Sequence, residues 1–220
     1  MIVALIPARG GSKGIKDKNL QKISGRSLVQ RSIECAISAG VLEVYVSTDS
    51  EKIADEALKY GAKVLKRPNK ISGDDSTTES CIDHFLKSTE FTQEDIVVLL
   101  QATSPFTDPR DLRSAISEIT VHRKNTFSAV FTEMFQWRKS SDRWLENGHD
   151  RFFRESRQTY GPMVLETGNF YVFTVKNFMK YKSRFSDEVI PFQVRYESIH
   201  QIDSPEDLLL AHEIAKSKGL

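Results

Sequence analysis

The first 130 residues alternate between short apolar runs and segments in which apolar residues recur with helical spacing. Short apolar runs predict buried strands, and an apolar stripe on one helical face predicts a helix that packs on them. The run 96–100 is apolar throughout, as expected for a central parallel strand covered on both faces. The predicted strands are Ile2–Ile6, Val44–Ser47, Lys63–Leu65, Ile96–Leu100 and Phe127–Phe131, and the predicted helices between them begin near Ser27, Ser50, Thr77 and Asp108.

Residues typical of helix ends support this division. Ser50 is placed to cap the N-terminus of one helix and Gly61 to follow its C-terminus, while Asp108 precedes a proline suited to a first helical turn. Ser204 opens a last helix, and Gly168–Phe173 predicts one more strand. The succession of strands and helices predicts an α/β fold, a three-layer α/β/α domain with a mostly parallel sheet.

The alternation stops between Glu133 and Thr167, a segment that we call the arm (residues 133–167). The arm is rich in aromatic and cationic side chains, whereas linkers are polar and poor in aromatic residues. Its Asn147-Gly148 pair is a typical turn signal and predicts a hairpin turn at that point. We therefore expect the arm to be an inserted structural element within one domain that spans residues 1–220.

Composition limits the class of protein. Lys and Arg number 31 against 30 Asp and Glu, and a net charge of +1 does not favour nucleic acid or an anionic membrane as partner. Hydrophobic residues make up 39% of the 220 residues, which is enough for a core. The two cysteines, Cys35 and Cys81, cannot form a disulfide framework, and the longest central apolar run is too short to cross a membrane. A cytoplasmic protein is expected.

The segment 7–19, which follows the first strand, has the chemistry of an anion site. Ligands of open α/β sheets bind beyond the carboxyl ends of the strands, where this loop begins. Its glycines let backbone N–H groups approach an anion closely. The Walker A spacing and the G-x-G-x-x-G pattern are both absent, so we interpret the loop as a triphosphate site of another kind, with a flexible basic surface loop as the alternative. Its charged residues are Arg9, Lys13, Lys16 and Lys18 against the single acid Asp17.

Several motifs occur in a fixed order along the chain. The most specific is Ile6–Gly14, IPARGGSKG, followed by Lys18-Asn19-Leu20. The later ones are Val46–Asp49, Arg67-Pro68, Gly73–Thr78, Gln101–Pro105, Gly168 with Tyr171, and Asp203–Asp207. This ordered set resembles the acylneuraminate cytidylyltransferases, or CMP-sialic acid synthetases, over essentially the whole length. The resemblance implies a nucleotide-diphospho-sugar-transferase-like, Rossmann-like fold. It also implies the condensation of CTP with a nonulosonic (sialic-acid-like) nine-carbon 2-keto sugar acid to CMP-sugar and pyrophosphate.

On this resemblance, the first loop holds the triphosphate and nearby side chains recognise cytosine and ribose. Arg9, Lys13 and Lys18 are the expected catalytic cations. An arginine and an amide can distinguish cytosine from uracil, because the two bases differ in their donors and acceptors. The residues implied for nucleotide binding are Ala8, Arg9, Gly10, Ser12, Lys13, Asn19, Arg67 and Thr78.

The resemblance also implies a sugar-acid pocket at the end of the central strand and on the arm. Arg157 is expected to meet the sugar carboxylate, since a guanidinium group binds a carboxylate in bidentate fashion. Taken alone, Gln101 and Ser104 could instead be a strand end and a helix cap. The arm is expected to form a homodimer interface that reaches into the partner's site, with an intramolecular lid as the alternative. The residues implied for substrate binding are Gln101, Thr103, Ser104, Arg138, Arg157, Gln158, Gly168 and Tyr171.

Asp203 matches a magnesium-binding aspartate of this family and is counted with the catalytic residues. A divalent ion, here expected to be Mg²⁺, offsets charge on a leaving pyrophosphate, although Asp203 alone could be a turn residue. The family usually carries a second aspartate two positions earlier, where this chain has Gln201. Thr107 stands where an arginine is often found, and Thr167 and Asn169 also depart from the usual pattern. Most of these changes lie near the sugar, so they bear on its identity more than on the nucleotide.

Two other functions stay open at this point. A Kdo-type cytidylyltransferase is the nearest enzyme, although its opening loop normally lacks the Gly-Gly-Ser-Lys-Gly run. A nucleotide-binding protein with weakened catalysis is favoured only by Gln201. A glycosyltransferase of related fold would need an Asp-x-Asp metal motif, which occurs nowhere in the sequence.

Overall fold

The computed structural model describes residues 1–153, 156, 159, 161 and 163–219. The strands are β1 Ile2–Pro7, β2 Lys22–Ile23, β3 Arg26–Ser27, β4 Glu43–Thr48, β5 Lys63–Lys66, β6 Ile96–Leu100, β7 Asn125–Thr132, β8 Gln136–Ser140, β9 Arg143–Asn147, β10 Met163–Thr174 and β11 Val189–Gln193. The helices are α1 Leu28–Ser38, α2 Glu51–Lys59, α3 Thr78–Ser88, α4 Pro109–His122, α5 Val175–Tyr181 and α6 Pro205–Lys218. Short 3₁₀ turns lie at Lys18–Leu20, Asn69–Ile71 and Tyr196–Ile199.

Seven strands form one sheet in the spatial order β11-β7-β10-β6-β1-β4-β5. The pairs β11–β7, β6–β1, β1–β4 and β4–β5 are parallel, and β10 is antiparallel to both of its neighbours. The predicted α/β fold with a mostly parallel sheet is confirmed. The central strand β6 is buried along its length, as predicted, but it is parallel only to β1. An apolar run indicates that both faces of a strand are buried, but it does not predict whether the neighbouring strands are parallel or antiparallel to it.

Helices cover both faces of this sheet. On one face, α1 and α4 bury Ile33 and Leu112, and on the other, α3 and α5 bury Phe85 and Phe178. Each fully buried side chain of this size stabilises the fold by about 1.5–3 kcal/mol relative to an exposed one. A third apolar cluster joins α6 to the loop after β1; it comprises Ile15, Ile23, Leu28, Phe106, Ile202, Ala211 and Ala215.

The predicted helix starts are confirmed in position. Ser204 forms a capping box with Asp207, accepting from the Asp207 N–H at 3.2 Å while the Asp207 carboxylate accepts from the Ser204 N–H at 2.8 Å. Asp108 accepts from the N–H of Arg110 at 2.8 Å, and Gly61 follows α2 with a φ of +84°. The residues that cap the first N–H groups of α4 and α6 could therefore be predicted from the sequence.

Ser50 is an exception in its chemistry. It occupies the N-cap position of α2, but its side chain accepts no hydrogen bond from that helix, so the predicted capping bond is wrong. Ser50 instead packs against Gly10 in the loop after β1. The two residues are so close that a Cβ added to Gly10 would lie 2.8 Å from the Cβ of Ser50. The position of a cap follows from local sequence, whereas the use of its side chain depends on what packs beside it.

Within the arm, β8 and β9 form an antiparallel hairpin in which Gln136 lies opposite Asn147. The hairpin turn lies at Ser141, which has a φ of +51°. The chain also bends after β9, where Gly148 has a φ of +80°, but the turn predicted at Asn147-Gly148 does not connect the two strands of the hairpin. The pairing of β8 with β9 sets the position of the turn between them. Ser141 adopts the left-handed backbone conformation there, which the sequence pattern had led us to expect at a glycine.

Strand β10 begins at Met163 and not at Gly168, where the sequence pattern placed its start. Its first residues pair with the end of β7, and the register between β10 and β7 shifts between Glu166 and Tyr171. Gly168 lies in this irregular stretch with a φ of +75°. The irregularity interrupts the alternation of side chains, which is why the pattern indicated only the second half of the strand.

Helix α5 and strand β11 were not predicted from the sequence. The seven residues of α5 are too few for a clear helical period. Strand β11 pairs at the edge of the sheet and contains Pro191, a residue that argues against a strand in sequence but is tolerated at an edge. Among the residues that the structure describes, no helix combines the length and apolar character needed to cross a membrane.

Candidate active site

The order of strands reverses at β1. The chain runs from β1 to β4 and β5 on one side and then returns to β6 on the other side. Such a switch point leaves a crevice beyond the carboxyl ends of the strands. A cavity of about 610 Å³ lies there, lined by Pro7, Arg9, Ser12, Lys13, Gly14, Lys18, Asn19, Arg67, Asp74, Thr78, Gln101, Ala102, Thr103, Gln201 and Asp203.

Two glycines let the loop after β1 lie close against its neighbours. A Cβ on Gly10 would lie 2.8 Å from the Cβ of Ser50, and a Cβ on Gly14 would lie 2.4 Å from the carbonyl oxygen of Asp203. The Gly10 N–H donates to Oδ1 of Asp49 at 2.8 Å, which ties the loop to the end of β4. The backbone before α6 is thereby brought against the loop, and Asp203 comes to lie beside its cations.

Three cations of this loop face the cavity, and each contacts a carboxylate. Nη1 of Arg9 lies 2.8 Å from Oδ1 of Asp74, and Nζ of Lys13 lies 2.5 Å from Oδ2 of the same residue. Nζ of Lys18 donates to Oδ1 of Asp203 at 2.9 Å. Lys13 and, next, Arg9 lower the pKa of the Asp74 carboxyl group, so Asp74 is ionised at neutral pH. The predicted triphosphate loop therefore does concentrate positive charge on one cavity.

Asn19 and Arg67 are buried and oriented by hydrogen bonds. Nδ2 of Asn19 donates to the carbonyl oxygen of Arg9 at 3.0 Å. Nε of Arg67 donates to Oγ of Ser47 at 3.1 Å, and its Nη2 donates to the carbonyl oxygen of Ser47 at 2.5 Å. The buried Ala8 donates its N–H to that same carbonyl at 2.9 Å. An amide and a guanidinium group are thus held in place at the cavity wall before any ligand binds.

The residues after β6 line the cavity together with the segment before α6. Gly168 is wedged between two of them: a Cβ on it would lie 2.1 Å from Nε2 of Gln201 and 2.7 Å from Oε1 of Gln101. The Gln201 amide donates to the carbonyl oxygen of Thr167. The two glutamines and Thr103 therefore present neutral polar groups to the cavity.

The other predicted site residues have different surroundings. Ser104 and Tyr171 are buried, and the Tyr171 hydroxyl donates to the carboxylate of Glu166. Burial, and next the Glu166 carboxylate, raise the pKa of Tyr171. Arg138 is exposed on β8 and does not line the cavity. Arg157 and Gln158 lie outside the described residues.

Five residues that line the cavity were not assigned a role from the sequence, and two of them, Asp74 and Gln201, carry polar side chains. Asp74 lies within the Gly73–Thr78 motif, and its position between Arg67 and Thr78, two predicted nucleotide-binding residues, was the available signal. Gln201 was noted only as a replacement for an aspartate. Neither contact pattern could be anticipated, since Asp74 and Gln201 bind partners that are distant in sequence.

A metal ion could be bound here through few protein ligands. In the described part of the chain, no three His, Cys, Asp or Glu side chains form a group that could hold a metal ion. The Asp203 carboxylate is 71% exposed and lines the cavity, whereas the side chain of Gln201 donates its amide to the backbone. Mg²⁺ is usually bound by one or two carboxylates together with substrate phosphates and water. The donor set fits an ion that is completed by phosphate oxygens.

A sequence profile described as cytidylyltransferase matches residues 3–213. The chain belongs to the cytidylyltransferase family. The resemblance that the motifs indicated is confirmed. The N-acylneuraminate cytidylyltransferase A of Danio rerio is 37% identical in an alignment of 181 positions that covers 77% of this chain and 40% of that relative. The CMP-N,N'-diacetyllegionaminic acid synthase of Legionella pneumophila is 31% identical in an alignment of 228 positions that covers 97% of this chain and 95% of that relative.

Several curated relatives of this cytidylyltransferase family member are longer proteins, and the chain spans about half of their length. A solved structure, CMP:2-keto-3-deoxy-manno-octonic acid synthetase complexed with CTP, matches with a TM-score of 0.71 over 99% of both chains. Its sequence identity is 17%, so this likeness supports the fold alone. The Rossmann-like nucleotidyltransferase fold that the sequence resemblance implied is thereby confirmed.

Proposed function

We propose that this chain transfers the cytidylyl group of CTP to a nonulosonic, nine-carbon 2-keto sugar acid and releases pyrophosphate. The observation that carries the proposal is the convergence of Arg9, Lys13 and Lys18 on a switch-point cavity that Gln101 and Thr103 also line. Cations suit a polyphosphate, and neutral polar groups suit the hydroxyl groups of a sugar. The family membership and the names of the relatives support the same reaction class.

The reaction is a displacement at phosphorus. The oxygen of the anomeric hydroxyl group attacks the α-phosphorus of CTP, and the bond from that phosphorus to the oxygen bridging to the β-phosphorus breaks. The hydroxyl proton passes to water, and pyrophosphate leaves. Arg9, Lys13 and Lys18 stabilise the negative charge that develops on the pyrophosphate, because they are already oriented toward the cavity.

The side chains that would recognise the nucleotide are already held in place by hydrogen bonds within the chain. Asn19 and Arg67 would read the cytosine and ribose, with the hydroxyl of Thr78 at the start of α3. The backbone of Ala8 and Gly10 and the side chain of Ser12 complete the loop around the phosphates. Pre-oriented donors lose little freedom on binding, which favours affinity.

Sugar recognition is assigned to the residues after β6 and to the arm. Gln101, Thr103 and Ser104 would contact the sugar. Because Gly168 has no side chain, the amides of Gln101 and Gln201 can both lie close to its backbone. The proposal keeps Tyr171, Arg138, Arg157 and Gln158 as substrate-binding residues on the strength of the family resemblance.

Asp203 is the residue that would hold Mg²⁺. Its carboxylate would have to exchange its contact with Lys18 for the ion, and the phosphates of CTP would supply further ligands. When bound, the ion offsets charge on the triphosphate and its leaving group. Gln201 presents an amide to the Thr167 carbonyl, so the proposal assigns it no role in metal binding.

We further propose that the arm mediates a homodimer. It exposes Trp137, Trp144, Phe152 and Phe153 to solvent, and large exposed aromatic side chains are enriched at protein interfaces.

We propose a cytoplasmic location because neither cysteine forms a disulfide bond. Cys35 and Cys81 are both free and buried, and proteins without disulfides are typical of reducing compartments.

A substrate panel tests the reaction. The protein is incubated with Mg²⁺, each of the four nucleoside triphosphates and, in turn, N-acetylneuraminic, legionaminic, pseudaminic and Kdo acids. We expect pyrophosphate release only with CTP and a nonulosonic acid. Release with Kdo alone would identify the Kdo-type enzyme instead, and turnover of UTP with a sugar 1-phosphate would contradict the proposal. Binding of CTP without release in any combination would indicate a nucleotide-binding protein with weakened catalysis.

A further inference from the structure

Asp74 bridges the two cations of the first loop that are nearest to it. It lies on the segment between the 3₁₀ turn Asn69–Ile71 and α3, far in sequence from the loop. One carboxylate oxygen contacts Arg9 at 2.8 Å and the other contacts Lys13 at 2.5 Å. Both oxygens are therefore used, and the carboxylate occupies the space between the two cationic groups.

A phosphate group bound between Arg9 and Lys13 would use the same space. Phosphate and carboxylate oxygens make the same kind of charge-assisted hydrogen bond to guanidinium and ammonium groups. The two anions cannot both lie between these cations, so the phosphate must displace Asp74. The lowered pKa of Asp74 keeps it anionic at neutral pH, and protonation therefore does not relieve the competition.

We propose that Asp74 is a positioning residue that substitutes for nucleotide phosphate when the cavity holds no nucleotide. It holds Arg9 and Lys13 toward the cavity, is displaced when a polyphosphate binds, and returns when pyrophosphate leaves. This inference rests on the proposed function, since it takes the loop as the triphosphate site. The contacts of Asp74 with Arg9 and Lys13 must break before a polyphosphate can bind there, so they lower the apparent affinity of the cavity for polyphosphate.

The neighbouring residue Asp75 offers a matched control. It carries the same charge on the same segment, but it lines a separate groove with Lys70, Ser76 and Thr77 and does not line the cavity. An Asp75→Asn variant therefore changes the net charge as Asp74→Asn does. It leaves the contacts to Arg9 and Lys13 in place.

The test is the dissociation constant of inorganic tripolyphosphate, measured by titration calorimetry at fixed ionic strength with and without Mg²⁺. Because both contacts are partly exposed, we expect Asp74→Asn to bind tripolyphosphate roughly three- to tenfold more tightly than the wild type. Asp75→Asn should stay within about twofold of the wild type. A purely structural role for Asp74 predicts the opposite sign, since loss of loop order would weaken binding.

The inference is overturned if Asp74→Asn binds tripolyphosphate as Asp75→Asn does, or more weakly in either metal condition. Weaker binding only with Mg²⁺ would make Asp74 a metal ligand and not a competitor. The substrate panel is scored separately. Turnover of CTP without the tightening would refute this inference alone, and tightening without any turnover would refute the proposed reaction alone.

Discussion

The cavity and the arm differ in what their side chains contact. In the cavity, Arg9, Lys13 and Lys18 each contact a carboxylate of the same chain. In the arm, by contrast, large apolar side chains are exposed, and Phe152 is 92% exposed. A polar site can be organised by pairs within one chain, whereas an exposed apolar surface gains stability only when another surface covers it. The contrast agrees with the proposals made above, in which the fold of one chain organises the cavity and a second copy covers the arm.

The largest expected effect lies in the cavity. Arg9→Ala should lower kcat/KM for CTP by roughly 10²–10³-fold, because it removes a pre-oriented cation from the leaving group. The midpoint of thermal unfolding should change little, since the Arg9 side chain is partly exposed. Steady-state pyrophosphate release and a thermal melt measure the two quantities.

Lys16→Ala is the control for this change, because Lys16 belongs to the same loop but does not line the cavity. Its activity should stay close to that of the wild type. Equal losses in the two variants would mean that only the overall charge of the loop matters, and wild-type rates in Arg9→Ala would show that the loop is not the triphosphate site.

Gly168 tests how tightly the cavity wall is packed. Gly168 has a positive φ that strains a residue with a side chain, and Gly168→Ala also places a Cβ 2.1 Å from Nε2 of Gln201. Gly61→Ala is the matched control, because Gly61 also has a positive φ but no atom within 4 Å of its added Cβ. Backbone strain should cost each variant about 1–2 kcal/mol, and the clash should add about 1–3 kcal/mol to Gly168→Ala alone. Urea unfolding of both variants measures the difference, and equal losses would mean that the two glutamines can move apart freely.

The smallest expected effect lies in the arm. Phe152→Ser should weaken self-association by roughly tenfold, because an exposed aromatic side chain is a typical anchor of an interface. Leu42→Ser is the matched control, since Leu42 is equally exposed at 92% but lies outside the arm. Sedimentation equilibrium measures both constants. If Leu42→Ser dissociates the protein and Phe152→Ser does not, the arm is not the dimer interface, and a monomeric wild type would favour the lid.

Much of the parallel half of the sheet could be predicted because its signals are local. Apolar runs located β1, β4, β5 and β6, and helix caps at Asp108 and Ser204 gave the starts of α4 and α6. The antiparallel half was harder. Strand β10 is irregular around Gly168. The turn that joins β8 to β9 lies at Ser141, because the pairing of the two strands, and not the turn signal at Asn147-Gly148, sets where they connect.

The candidate site divides in the same way. The positions of the cavity cations could be predicted, because they and several glycines directly follow the first strand. In open α/β sheets, ligands bind beyond the carboxyl ends of the strands, where this loop lies. The contacts of those cations were not predictable. Lys18 meets Asp203 across 185 positions of sequence, and Arg9 and Lys13 meet Asp74.

The sequence by itself determined the class of fold, the family and the loop that concentrates positive charge. The fold class and the loop depend on neighbours along the chain, where hydrophobic period, capping residues and glycines act locally. The family follows from the order of motifs along the sequence, which can be recognised without tertiary contacts. Only the tertiary structure decided that Asp74 occupies the space between Arg9 and Lys13, that Gln201 donates to the Thr167 carbonyl, and that β10 runs against its neighbours. The physical reason is that such contacts join distant segments, and packing of the whole sheet sets which of them meet.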